Sequence, residues 1–206
     1  MSVPGMVCPV VGRNRVACGA ELHSTLGAVG DEEFMRVALE LAREAERAGE
    51  LPVGAVVACE GRIIGRGRNS PMGTADPTAH AEILALRQAA AAIGNYRIEN
   101  ATVYVTLEPC AMCAGALVEA RVRRLVFGAR HLRFGGVRSK FRIADSELLN
   151  HRVEIVEGVL AVECLELLQR FFRDRRPGPA GSGSPKAGGK LEHHADFRSP
   201  GQDSGS

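Results

Sequence analysis

DPTAHAE (residues 76–82) and LEPCAMC (residues 107–113) are the two stretches that say most about the fold and chemistry of this chain. His80 of the first stretch, with Cys110 and Cys113 of the second, supplies one nitrogen and two sulfur atoms, which are ligands that zinc binds in proteins. Zinc with three protein ligands keeps its fourth position for water, so the set favours a catalytic site over a structural one. Glu82 follows His80 closely and can move protons beside such a metal ion.

Each stretch also has a simpler interpretation when it is taken alone. A single His-x-Glu pair has little specificity, and Cys-x-x-Cys is found in redox pairs and in halves of structural zinc sites. The proline before Cys110 does not fit a thioredoxin-like pair, and a structural site would need a fourth Cys or His. We predict that the remaining cysteines are not ligands, because they lie in a strand, in a core helix or near the N-terminus: Cys59, Cys164, Cys8 and Cys18.

The composition is that of one globular domain with additional tail sequence. The chain has 206 residues, 45% of them hydrophobic, and a formal net charge of +2, so its total charge favours no class of partner. No run of roughly 18 apolar residues is present, and the N-terminal stretch does not resemble a signal peptide. Six cysteines in such a chain favour a reducing compartment, so we expect a cytoplasmic protein without a membrane segment.

The sequence divides into three parts. Residues 1–30 show no helical or strand period, and we predict a flexible N-terminal extension. Residues 177–206 are rich in Pro, Gly, Ser, Lys and His, and we predict a disordered C-terminal tail because they cannot bury a core. The folded domain is therefore expected over residues 31–176.

Hydrophobic periodicity predicts an alternation of helices and strands within this domain. Helices are predicted over residues 31–49, 77–93, 109–119 and 161–175. Strands are predicted over residues 53–59, 62–68, 102–107, 124–128 and 153–157. This order predicts an α/β fold, a three-layer α/β/α domain with a five-stranded mixed sheet.

Local signals refine these elements. Asp31 is predicted to cap the first helix, and Asp76 the second, with Pro77 in its first turn. The segment before Asp76 is predicted to be a loop. On the last helix, four apolar residues are predicted to face the core: Val162, Leu165, Leu168 and Phe172.

The motifs, in this order, are the signature of zinc-dependent nucleobase deaminases. The chain also resembles bacterial tRNA-specific adenosine deaminases over residues 31–176, in five segments: DPTAHAEILALRQA (76–89), NYR (95–97), TLEPCAMCAGAL (106–117), VFGAR (126–130) and NHRVEIVEGVLAVEC (150–164). The zinc motifs alone would fit any member of the cytidine-deaminase superfamily. The flanking segments indicate the tRNA group.

This resemblance implies a cytidine-deaminase-like fold that converts adenosine to inosine at the wobble position of tRNA anticodons. It implies one Zn²⁺ per subunit, bound by His80, Cys110 and Cys113, with Glu82 as the proton shuttle. It implies that Asn69 holds the flipped nucleoside, although an ordinary turn asparagine is the simpler interpretation. The family also implies a homodimer whose subunits both help to bind the tRNA anticodon stem-loop.

The segment after Arg130 departs from the family pattern. His131 occupies the place of an aspartate that is expected to contact the target ribose, and the 2′-hydroxyl of that ribose distinguishes RNA from DNA. His131 remains a candidate for binding the substrate by a hydrogen bond. Phe134 is bulkier than the small residue expected there, and stacking on an anticodon-loop base is one hypothesis for it.

Residues 120–144 contain several Lys and Arg residues but no Asp or Glu, and a second basic cluster lies at the end of the last helix. Basic side chains supply much of the affinity for nucleic-acid phosphates, although a solvated basic face is the simpler interpretation. The candidates for RNA contact are Arg130, Arg133, Phe134, Arg138, Lys140, Arg173, Arg175 and Arg176.

Two other functions remain alternatives to a tRNA adenosine deaminase. One is a deaminase of free nucleosides, nucleotides or bases, of the cytidine or guanine type. The other is a non-catalytic zinc domain that only binds RNA, and Glu82 argues against it because a structural zinc site needs no proton shuttle.

Overall fold

A computed structural model describes residues 30–175 of the chain. The predictions for residues 1–29 and 177–206, and those for Cys8, Cys18 and Arg176, lie outside this described range. Over the described residues, no helix combines the length and the apolar character that a membrane crossing requires.

Five strands form one mixed sheet in the spatial order β2-β1-β3-β4-β5. The strands are β1 (Gly54–Cys59), β2 (Arg62–Arg68), β3 (Thr102–Leu107), β4 (Arg124–Ala129) and β5 (Glu154–Glu157). β1 pairs antiparallel with β2 and with β3, whereas β3, β4 and β5 run parallel. The five-stranded mixed sheet is therefore confirmed.

Helices cover both faces of this sheet. The helices are α1 (Asp31–Arg47), α2 (Pro71–Thr74), α3 (Ala81–Ile93), α4 (Ala111–Glu119) and α5 (Ala161–Asp174). α1 and α5 pack on one face, and α3 packs on the other, next to α4. The predicted three-layer α/β/α fold is confirmed, with a core of aliphatic strand residues between the helical layers.

Glycines in β1 and β2 let the helices lie close to the sheet. A Cβ atom at Gly54 would come within 2.1 Å of the Ala38 carbonyl oxygen in α1. A Cβ at Gly67 would come within 2.1 Å of the Ala81 carbonyl oxygen in α3. Because real Cβ atoms do not approach so closely, glycine at position 67 fixes how near the start of α3 lies to β2.

The start of α1 differs from the prediction in detail. Gly30, not Asp31, is the N-cap, and Asp31 is the first helical residue. The Asp31 carboxylate accepts hydrogen bonds from both terminal nitrogens of Arg124, at 2.7 and 2.9 Å, and from the Tyr104 hydroxyl at 3.0 Å. The Asp31 carboxylate therefore pairs with a charged residue on β4 and does not cap the helix.

The start of α3 is a second correction. α3 begins at Ala81 with His80 as its N-cap, so Asp76 and Pro77 precede the helix. Asp76 instead accepts hydrogen bonds from the backbone N–H and the hydroxyl of Thr78, which closes a local turn. Part of the predicted loop before it forms the short helix α2, and the Glu50 carboxylate accepts a 2.7 Å hydrogen bond from the Gly73 N–H.

The buried face of α5 is the third correction. Leu168 is buried as predicted, but three of the residues predicted to face the core are exposed: Val162 (66% exposed), Leu165 (47%) and Phe172 (52%). Cys164, Leu167 and Phe171 are buried in their place. The helix is turned so that Cys164 lies over Gly128 of β4, where a Cβ atom would approach the Cys164 Sγ to 2.4 Å.

Candidate active site

Both motifs lie at one end of the sheet. His80 is the N-cap of α3, and Cys110 is the N-cap of α4. Cys110 follows the end of β3, whose parallel neighbour β4 ends at Ala129. The site thus lies at the carboxyl ends of parallel strands, where open α/β sheets bind ligands.

His80, Cys110 and Cys113 converge on one point. The His80 Nδ1 lies 3.6 Å from the Cys110 Sγ and 3.5 Å from the Cys113 Sγ. A tetrahedral Zn²⁺ with bonds of about 2.3 Å to sulfur and about 2.0 Å to nitrogen holds such atoms about 3.5 Å apart. The donors fit one metal ion, and residues 30–175 contain no other such cluster of His, Cys, Asp and Glu.

The two thiols of this cluster are not equivalent. Cys113 donates a hydrogen bond to Cys110, which lowers the pKa of the Cys110 thiol and raises the pKa of the Cys113 thiol. The N-terminus of α4 also favours a thiolate at this place. The thiolate is the form of cysteine that binds a metal ion.

Glu82 lies in the first turn of α3 and is 3% exposed. Burial raises the pKa of its carboxyl to about 7, and the negative charge of Cys110 acts in the same direction. A carboxyl with a pKa near neutrality suits general acid–base chemistry, because it can accept a proton and return it.

Asn69 is a buried residue directly after β2. Its side-chain Oδ1 accepts a 2.9 Å hydrogen bond from the N–H of Ala81, the first residue of α3. This bond fixes the orientation of the amide, so that the NH₂ group is the part left to serve a ligand. Asn69 therefore lies beside the helix start that carries His80 and Glu82.

His131 lies near the metal-ligand cluster, at the start of the segment that departs from the family pattern. Burial lowers the pKa of its imidazole, while the charges of Glu108 and Cys110 act in the opposite direction. The rings of His131 and Phe134 make an edge-to-face contact, with their centroids 5.5 Å apart. Phe134 is 65% exposed, so this aromatic pair is presented to solvent next to the cluster.

Glu108, which directly precedes Pro109, was not among the predicted site residues. Its carboxylate is 2% exposed and accepts hydrogen bonds from the segment that contains His131. Burial alone would raise its pKa, but hydrogen bonds from the Ser139 hydroxyl and from backbone N–H groups lower it overall. Its position before the Cys-x-x-Cys motif was a signal in the sequence that it lies near the site. Its role could not be predicted, because its hydrogen-bond partners are distant in sequence.

The candidate RNA contacts differ in whether the side chain already has a partner within the protein. Three arginines pair with acidic neighbours: Arg130 with Glu157 at 2.8 Å, Arg138 with Asp145 at 2.8 Å, and Arg173 with Asp174 at 3.6 Å. Arg175 lies 4.0 Å from the ring centroid of Phe171 and donates a hydrogen bond to the Gly49 carbonyl. Arg133 and Lys140 are exposed on the segment that carries His131.

A sheet of this topology, with a His/Cys/Cys cluster beside a buried glutamate, defines the class of hydrolytic nucleobase deaminases. The model of the MafB19-like deaminase family matches residues 29–176. The chain is 54% identical over 147 residues to the tRNA-specific adenosine deaminase of Haemophilus influenzae, covering 71% of this chain and 85% of that protein. Its Bacillus subtilis counterpart is 44% identical over 146 residues, covering 71% and 91%. The chain belongs to the family of bacterial tRNA-specific adenosine deaminases.

Solved structures of deaminases share the fold of this chain. One comes from a study of A-to-I editing by tRNA:A34 deaminases at the wobble position of transfer RNA. It is 42% identical with a TM-score of 0.64, and the match covers 66% of this chain and 98% of that chain. A guanine deaminase from Nitrosomonas europaea is 27% identical with a TM-score of 0.62, covering 69% and 84%.

Proposed function

We propose that this protein converts adenosine to inosine at the wobble position of tRNA anticodons. The observation that carries the proposal is Glu82, a buried carboxyl with a raised pKa beside three converging metal donors. The 54% identity to a tRNA-specific adenosine deaminase supplies the substrate. A tRNA substrate also supports the cytoplasmic location expected from the sequence.

The cofactor of the proposed reaction is Zn²⁺, one ion per chain, held by His80, Cys110 and Cys113. Sulfur and imidazole donors at these distances suit zinc. When bound, zinc would supply the Lewis acidity that makes water a nucleophile at neutral pH.

Glu82 is the proposed catalytic residue. Adenosine and water give inosine and ammonia, so protons must pass from the attacking water to the purine ring and to the leaving amine. Glu82 accepts one proton of the water and delivers it to the ring nitrogen. It then takes the remaining proton of the added hydroxyl group, as the C=O bond forms, and gives it to the amino group, which leaves as ammonia. A carboxyl with a pKa of about 7 suits proton transfer in both directions.

Asn69 and His131 are the proposed substrate-binding residues. The Asn69 amide, oriented by the Ala81 N–H, offers its NH₂ group to the flipped base. His131 approaches the ribose in place of the family's aspartate. A neutral imidazole donates or accepts one hydrogen bond where a carboxylate accepts two, so contact with the 2′-hydroxyl is weaker here.

The RNA contacts proposed around the site are Arg130, Arg133, Arg138, Lys140 and Phe134, with Arg173, Arg175 and Arg176 more distant. Arg133 and Lys140 are the strongest candidates for RNA contact, because both are exposed on the segment next to the metal-ligand cluster. Phe134 stacks on an anticodon-loop base in this proposal, which requires Phe134→Ala to lower tRNA affinity.

The homodimer is also part of the proposal. Large apolar side chains other than Phe134 are exposed between residues 132 and 149, among them Leu132 (71%), Phe141 (57%) and Leu148 (94%). Grouped exposed apolar residues mark interaction sites, and a second copy of the chain is the partner that the family implies. Molar mass from light scattering tests this, and a monomer at micromolar concentration would contradict it.

The deciding experiment is inosine formation on an unmodified tRNA anticodon stem-loop with adenosine at the wobble position. Zinc-loaded protein is incubated with the stem-loop, and the product is read by sequencing. Glu82→Ala is the inactive control. Conversion by the wild type alone supports the proposal, and no conversion with zinc confirmed bound contradicts it.

The second candidate is a deaminase of free purines or pyrimidines, because the Nitrosomonas europaea guanine deaminase shares the fold at 27% identity. Guanine, adenosine and cytidine are assayed in parallel for ammonia release. Turnover of a free base or nucleoside without stem-loop conversion would favour this candidate.

A further inference from the structure

Glu108 is a buried carboxylate for which the proposed reaction has no use. It follows the end of β3 and lies two residues before Cys110, yet it is outside the metal-ligand cluster. An ionised carboxylate that is 2% exposed is unfavourable unless hydrogen bonds satisfy it. Its partners therefore indicate what it does.

All of these partners lie in residues 131–139, here called the substrate loop. The Glu108 Oε1 accepts hydrogen bonds from the N–H groups of Val137, Arg138 and Ser139, at 3.2, 2.6 and 2.8 Å. The Oε2 accepts a 3.0 Å bond from the N–H of His131 and another from the Ser139 hydroxyl. One side chain thus binds both ends of the loop.

The middle of the substrate loop is held against the same segment. Gly136 donates a 2.7 Å hydrogen bond to the Pro109 carbonyl, and Gly135 forms an isolated antiparallel bridge with Cys110. A Cβ atom at Gly135 would lie 2.4 Å from the Glu108 carboxyl carbon. The two glycines therefore allow the loop to close on the carboxylate.

We propose that Glu108 is a positioning residue that holds the substrate loop against the metal-ligand segment. The held loop presents His131 beside the cluster and Phe134 to solvent. The inference rests on the proposed function, because the target nucleotide and its neighbours are the ligands of this loop. The residue sets substrate affinity through the loop and does not touch the reacting atoms.

Glutamine at position 108 is a selective test. Its amide oxygen, placed at the Oε1 position, keeps the three N–H bonds of residues 137–139. Its NH₂ group, at the Oε2 position, can donate to the Ser139 hydroxyl, because a hydroxyl can accept as well as donate. The His131 N–H alone then meets a donor, so Glu108→Gln releases the end of the loop that carries His131.

The first measurement is hydrogen exchange of the backbone amides, which requires no activity. Glu108→Gln should increase exchange at residues 131–134 at least 10-fold while α4 stays protected. Glu119→Gln, an exposed glutamate in α4, is the matched control. Unchanged exchange at residues 131–134 would overturn the proposal.

The second measurement separates positioning from folding. Glu108→Gln should raise the KM for the anticodon stem-loop about 10-fold, with zinc content unchanged and kcat lowered less than threefold. Loss of zinc or of kcat with an unchanged KM would show a purely structural role and would also overturn the proposal. If the wild type fails to convert the stem-loop, the proposed function fails, and hydrogen exchange still tests the role of Glu108.

Discussion

At the scale of single residues, Glu82 is the proposed proton shuttle. Its carboxyl is buried in the first turn of α3, where burial raises its pKa to about 7. The metal donors are three other side chains, so the acid–base role and the metal site can be separated by substitution.

Glu82→Ala should therefore abolish turnover without releasing zinc or tRNA. General acid–base groups contribute roughly 10²- to 10⁴-fold to the rate, so kcat should fall by at least about 10²-fold. Zinc content by atomic absorption and stem-loop affinity should match those of the wild type. Glu119→Ala on the exposed side of α4 is the control. An equal loss of zinc in Glu82→Ala would contradict its assigned role.

Asn69 joins two roles in one amide, and aspartate can separate them. Asn69→Asp keeps an oxygen that accepts the Ala81 N–H, at a helix N-terminus where negative charge is favourable. It lacks the NH₂ group proposed to hold the base. The expected result is a folded protein that still binds zinc, with a KM raised roughly 10-fold or more.

Asn95→Asp is the matched control for this prediction, because Asn95 is exposed and accepts a comparable bond from the Arg97 N–H at 3.1 Å. Its KM should equal that of the wild type. A KM for Asn69→Asp within twofold of wild type would show that the base is held by other groups.

At the scale of secondary-structure elements, Asp31 fastens the start of α1 to β4. The guanidinium of Arg124 lowers the pKa of the Asp31 carboxyl below its usual value of 3.8, against the opposing effect of partial burial. Because the pKa is lower in the folded state, this stabilisation is present above pH 3.8 and is lost as pH falls through the folded-state pKa.

Asp31→Asn should lower the free energy of unfolding by about 1–2 kcal/mol at pH 7, since it removes a charge-assisted pair of bonds. Its difference from the wild type should shrink below about pH 4, because the unfolded chain then binds a proton at Asp31 more readily than the folded protein does. Urea unfolding of both proteins between pH 3 and pH 7 measures this. A difference that is independent of pH would exclude the charge of Asp31 as the cause.

The rotation of α5 predicts different effects at two adjacent phenylalanines. Phe171 is 7% exposed and Phe172 is 52% exposed. Phe171→Ala should cost about 3–5 kcal/mol, as large-to-small changes in a core do, and Phe172→Ala less than about 1 kcal/mol. Urea unfolding compares them. Equal losses would mean that Phe172 is covered in solution, for example by a second copy of the chain.

At the scale of the whole molecule, the segment proposed to bind RNA lies next to the proposed catalytic centre. Stem-loop affinity should fall as salt rises, because cations that bind phosphates release counterions. Arg133→Gln and Lys140→Gln should each reduce the slope of log affinity against log salt by about 0.7–0.9.

Arg36→Gln is the control for the salt prediction. Arg36 pairs with Glu32 on α1, and α1 covers the sheet face opposite α3. Fluorescence anisotropy with a labelled stem-loop at several salt concentrations measures all three slopes. Slopes that equal the wild-type value for Arg133→Gln and Lys140→Gln would place the RNA elsewhere.

Much of the fold and of the site could be predicted from the sequence because the signals are local. The alternation of strands and helices predicted the three-layer fold, and β3 has the predicted bounds, 102–107. His80 and Glu82 fall at one helix start, and Cys110 and Cys113 at another, because their spacings are short. These residues come together because α3 packs on the sheet and α4 directly follows β3, a strand of that sheet.

What the tertiary structure decided depends on partners that are distant in sequence. α5 carries two apolar stripes that differ by about one residue, and the fit of Cys164 over Gly128 selects the one that is buried. Asp31 pairs with Arg124 on β4, and Glu108 binds residues 131–139 through backbone N–H groups that every sequence possesses. Local spacing in the sequence was enough to predict the proposed metal donors and the proposed proton shuttle. Only the tertiary structure determined what holds them, because backbone donors carry no sequence signal.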